Sequence, residues 1–173
     1  MTRGHFALVG PVALALALSL AACGGSSDEL PSYACPTPFT VQDAGRLTRF
    51  KPGPGRDPRD IAFEAVLAGA GTKCEVSRNQ ISVTLTMRVA VSAGPAADPG
   101  TTRVPYFVRV LDGSGAVVQG QEFTADFKLS AANPRGSSAE ELALSLPLAS
   151  GGYRIAIGLK PTPEELNYNR SRQ

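Results

Sequence analysis

Beyond Ile61, apolar residues fall on every second position through most of the chain. The longest run is Ile81, Val83, Leu85, Met87, Val89 and Val91, opposed by Ser82, Thr84, Thr86, Arg88, Ala90 and Ser92. A period of two sends these sets to opposite sides of an extended backbone, which predicts a half-buried strand. The same alternation predicts strands over 61–67, 104–110, 123–129, 142–148 and 153–159, with a shorter one over 73–77. Phe107 and Leu111, out of phase with their neighbours, suggest burial on both faces of the strand that holds them.

Turn signals separate these runs: Asp112-Gly113-Ser114-Gly115, Asn133-Pro134-Arg135-Gly136 and Ser150-Gly151-Gly152. Seven or eight strands then follow one another without an intervening helix, which disfavours a parallel sheet, because parallel crossovers need helices. The expected fold is all-β: an antiparallel, seven- to eight-stranded sandwich of immunoglobulin or fibronectin III type over residues 61–160. Ahead of it, six prolines between Pro31 and Pro58 remove backbone donors. Residues 35–60 are therefore expected to be an irregular, extended segment laid over the domain, with room for a short helix over 41–48 opened by Thr40. At the other end, Thr162-Pro163-Glu164-Glu165 has the form of a capping box with proline at the first helical position. It predicts a short helix in residues 161–173.

The first 22 residues follow another pattern. Arg3 and His5 precede residues 6–22, which carry no charge and are rich in Leu, Ala and Val, as in a signal peptide. That run has 17 residues and is interrupted by Gly10, Pro11 and Ser19, whereas a membrane span needs about 20. Its end, Leu20-Ala21-Ala22-Cys23, resembles the lipobox of bacterial lipoproteins. The resemblance implies thioether lipidation of Cys23 and cleavage before it. Residues 23–34, opening on Gly24-Gly25-Ser26-Ser27, then form a flexible tether. Two or three acyl chains anchor a protein stably, where one holds it only marginally.

Chemistry is constrained by what remains. Cleavage removes His5, the only histidine, and with it the usual base of Ser-His-Asp and Cys-His sites and the commonest metal ligand. Cys35 and Cys74, sent to an oxidising compartment, pair naturally as a disulfide, since a metal or redox pair would want closer spacing. The acidic pairs Asp57 with Asp60, Glu140 with Glu141 and Glu164 with Glu165 are read as solvated or capping groups. Arg46, Arg49, Lys51, Arg56 and Arg59 are read as an ion-paired surface, and Gly53-Pro54-Gly55-Arg56 as a turn. A net charge of +2 advertises no nucleic-acid partner. Tyr168, Asn169 and Arg170 combine types enriched at interface hot spots, and form the candidate partner-binding cluster.

Cys35-Pro36, Leu47-Thr48-Arg49-Phe50, Arg56-Asp57 with Asp60-Ile61, Val104-Pro105-Tyr106-Phe107-Val108 and Leu166-Asn167-Tyr168-Asn169-Arg170 together resemble a family of short uncharacterised proteobacterial lipoproteins over residues 35–170. The resemblance implies a one-domain envelope lipoprotein and confers no catalytic residues. Gly24, in place of Asp, resembles lipoproteins forwarded to the periplasmic face of the outer membrane, the inner or plasma membrane being the alternative. The expectation is a non-enzymatic, protein-binding or structural module with no metal and no cofactor beyond the lipid on Cys23. A small-ligand or glycan-binding lipoprotein is the alternative.

Overall fold

The computed structural model describes residues 33–148 and 152–172; Cys23, the signal segment and most of the tether lie outside them. The strands are β1 (Thr37–Thr40), β2 (Arg46–Phe50), β3 (Ile61–Val76), β4 (Gln80–Ala93), β5 (Gly100–Asp112), β6 (Val117–Leu129), β7 (Arg135–Pro147) and β8 (Tyr153–Leu159). A 3-10 turn occupies Pro58–Asp60, and a helix, α1, occupies Pro163–Ser171.

The strands form two four-stranded sheets, one in the order β1-β8-β5-β6 and the other β2-β3-β4-β7. Every pairing is antiparallel except that of β1 with β8. The alternation seen in the sequence builds the core: Leu85, Val89 and Leu144 from one sheet meet Val104, Phe127 and Ile157 from the other in a single cluster. The all-β, two-sheet expectation holds. Hairpins join β3 to β4 and β5 to β6 within a sheet, while the chain changes sheets between β4 and β5, β6 and β7, and β7 and β8.

Three expectations change. Residues 35–60 are irregular only in part, because β1 and β2 lie there, each on the edge of a different sheet. The chain crosses between the sheets over 41–45, turning at Asp43 (φ 66°); Val41 N–H donates to Ile157 O of β8, and Ala44 O accepts from Leu159 N–H of β8. The short helix over 41–48 is absent; Leu47 instead places its side chain, 0% exposed, in the core. A strand wins over a helix there because β3 offers an open ladder and the sandwich an apolar slot. The strands expected over 61–67 and 73–77 are one 16-residue strand, β3. Its register shifts between Leu67 and Gly69, a bulge that glycine's freedom at φ +150° permits. This shift interrupts the alternation, so the sequence pattern shows two short strands where the chain forms one.

At the C-terminus the capping box is present: the Thr162 hydroxyl accepts from Glu165 N–H, and the Glu165 carboxylate accepts from Thr162 N–H at 2.8 Å. No described helix is long and apolar enough to cross a membrane.

Candidate functional site

The Cys35–Cys74 disulfide forms, with Cα atoms 5.7 Å apart. It joins the chain just ahead of β1 to the far half of β3, where Thr72 Oγ1 also donates to Pro36 O at 2.7 Å. Tyr33 packs against the core beside it. Chain entry is thus fixed at one end of the sandwich, the end that holds the β3–β4 turn and the tip of the β5–β6 hairpin.

Tyr168, Asn169 and Arg170 all make contacts within the molecule, although Tyr168 is half-buried and Arg170 stays exposed. Asn169 is buried; its Oδ1 accepts from Thr48 Oγ1 at 2.8 Å and its Nδ2 donates to Arg46 O at 3.1 Å. Tyr168 meets Phe50 edge-on with centroids 4.8 Å apart, and Arg170 Nε pairs with Asp43 at 2.9 Å. One turn earlier, the buried Glu165 pairs with Arg49 Nε at 3.0 Å. Together these contacts latch α1 to β2, so Asn169 offers nothing to a partner. Substituting Asn169 by alanine leaves the buried Thr48 hydroxyl and the Arg46 carbonyl without these partners. Chemical denaturation is expected to register a loss of about 1–3 kcal/mol.

Among the acidic pairs, Glu140 and Glu141 sit on adjacent positions of β7 and so point to opposite faces. Their carboxylates cannot converge on one substrate. Glu140 turns inward, accepting from Tyr106 Oη at 3.0 Å and from Ser138 Oγ. Tyr106 is 2% exposed and stacks on Phe123. Burial first, then the bond to Glu140, holds its phenol far above the usual tyrosine range, so it stays protonated and donating. Asp57 and Asp60 close a capping box on the 3-10 turn, and their partners Arg59 and Lys51 hold both carboxyls below the usual range. Glu164 pairs with Arg56, whose Nη1 also donates to Gly53 O and Gly55 O and so braces the Gly-Pro turn. Of the basic stretch, Arg49, Lys51, Arg56 and Arg59 are therefore ion-paired.

Among the described residues, no group of three or more His, Cys, Asp or Glu side chains is placed to hold a metal ion. A cleft of about 270 Å³ opens between the β4–β5 and β6–β7 connections, lined by Ala93, Ala97, Pro99, Leu129 and Pro134 among others. Its walls are largely apolar.

One surface escaped the sequence reading. The outer side of the β1-β8-β5-β6 sheet carries Phe39 and Val117, 38% and 58% exposed, with Val118 (53%) at the bulge beside them. Arginines lie over its aromatic rings, Arg154 on Phe39 at 5.3 Å and Arg109 on Phe107 at 5.6 Å. Val117 and Val118 stand next to each other and precede Gln119 and Gln121, so no alternation announced that half of β6 as a strand. No protein-family model, curated protein or solved structure matches the chain.

Proposed function

We propose that this chain is a lipid-anchored envelope lipoprotein of the short uncharacterised kind that its motifs resemble. Its sandwich binds another envelope protein by strand addition and catalyses no reaction. Cys23 carries the lipid, the only non-protein group required, and the domain faces the periplasm, at the outer membrane by the Gly24 pattern. The sandwich is of immunoglobulin or fibronectin III type in having two packed sheets with connections that cross between them. The meander β2-β3-β4 departs from the strand order of that arrangement.

The observation that carries the binding reading is the state of the two strands, β6 and β7, that end their sheets on the same side of the sandwich. Both leave a row of backbone donors and acceptors without a partner strand among the described residues. A charge turned inward on an edge strand discourages pairing, and β7 has one in Glu140; β6 has none turned inward. Over residues 121–129, β6 is accordingly the better template for an added strand. The disulfide supports the oxidising compartment.

Two linked measurements test this reading. Metabolic labelling with palmitate is expected to mark the wild type and not Cys23→Ser, and an unlabelled wild type overturns the anchor. A photo-cross-linking residue at Thr124 of β6 is expected to capture a defined envelope protein that the same residue at Ser137 of β7 does not. Equal capture at both sites, or none at Thr124, overturns strand addition at β6.

A further inference from the structure

We infer that the outer side of the β1-β8-β5-β6 sheet, at the end where the chain enters the domain, rests on the lipid bilayer that holds the anchor. This rests on the lipoprotein reading and adds to it an orientation and a contact surface. Cross-strand register assembles the surface from residues far apart in sequence. Arg154 of β8, Leu111 of β5 and Val117 of β6 stand side by side in one row. Phe39 of β1 lies in the next row, with Ala156, Arg109 and Gly120. The alternate residues of the same strands, Ile155, Val110 and Val108 among them, fill the core, so this set faces outward.

Three properties fit the surface to a bilayer. Phe39, Val117 and Val118 are the exposed large apolar side chains of the described residues, and no described element covers them. Arg154 makes no ion pair among the described residues, leaving its guanidinium for an anionic headgroup beside the Phe39 ring. Of the carboxylates in the hairpin, Asp112 is turned into its own loop, accepting from Ser114 N–H at 2.9 Å and Ala116 N–H at 3.0 Å, and Glu122, on the outward face, is neutralised by Arg109 and Lys160. Chain length supplies the rest of the argument. Tyr33, packed against the core, comes ten residues after Cys23, and that length of backbone spans at most about 35 Å. A membrane-held Cys23 therefore keeps this end close to the lipid, with the hairpin tip and β1 foremost.

The chain has no tryptophan, so a single introduced one reports its own surroundings. The full lipidated chain carrying Val117→Trp, with Val118→Trp as a second reporter and Asp98→Trp at the opposite end as control, is reconstituted into phosphatidylethanolamine–phosphatidylglycerol vesicles with brominated acyl chains. Side chains lying about 5–10 Å into the interface should lose roughly half their emission at 117 and 118, with little loss at 98. Adding Arg154→Glu should restore most of it. A protein that takes up palmitate and floats with vesicles but shows no quenching at either reporter overturns the contact surface and leaves the anchor standing. A protein that neither labels nor floats overturns both. Shielding of the indole in the Val117→Trp chain from aqueous iodide, without quenching by bromolipid, assigns the surface to a protein and overturns the lipid contact.

Discussion

Replacing Cys35 and Cys74 together by serine is expected to lower the unfolding free energy by about 4 kcal/mol in the chain-entropy account. The disulfide closes a loop with a sequence separation of 39, and the unfolded chain regains that loop's freedom when the bond is lost. Net stabilities of small domains lie near 5–15 kcal/mol, so the change removes a large share of the total. Urea titrations of the oxidised wild type and the double variant measure it directly. A difference under about 1 kcal/mol would mean that the unfolded chain is already restrained around these residues. Because the loop contains β1, β2 and most of β3, the loss should appear first as exchange of amides in β1 and β2.

Leu47→Ala should cost about 2–5 kcal/mol, as large as truncating a leucine in the middle of the longest alternating run. Leu47 is 0% exposed and belongs to the same core cluster as Leu85, itself 0% exposed. The measurement distinguishes two pictures of the N-terminal segment. A segment merely draped over a finished sandwich would lose little when one side chain is shortened, whereas a strand that completes a sheet and plugs its core would lose as much as β4 does. Thermal or denaturant unfolding of Leu47→Ala beside Leu85→Ala gives the comparison, and a cost below half that of Leu85→Ala would contradict the role described for β2.

The parts of the fold that could be read in the sequence share one physical cause. Where a strand has one face on the core and the other in water, burial writes itself as alternation, and Ile81 to Val91 is the clearest instance. Where that cause is missing, the reading failed. The first half of β7 turns Ser138 and Glu140 inward, the first half of β6 turns Gln119 inward, and both halves looked like loop. β1 and β2 are too short to display a period, and Pro38 in β1 with the prolines before and after the two strands argued against order. The helix start at Thr162 was legible because capping is local: donors and acceptors three residues apart satisfy each other wherever the helix docks.

Candidate sites divide along the same line. The disulfide was readable from compartment and count. The fate of Tyr168, Asn169 and Arg170 was not, since it depends on Thr48, Phe50 and Asp43, more than a hundred residues away. The outward row formed by Arg154, Leu111 and Val117 exists only once β5, β6 and β8 are in register. Pairing between distant strands determines it, and no local window contains that information.

The bond between Cys35 and Cys74 also sets how the domain carries mechanical load. Any pull on the chain ahead of Tyr33 passes through the sulfur bridge directly into the far end of β3, bypassing everything from residue 36 to residue 73. The short edge strands β1 and β2 then bear no tension. The force enters the sandwich beside the β3–β4 turn and passes on into β4. Without the bridge, the same pull would run through β1 and load its parallel ladder with β8 along the strand direction before reaching β2.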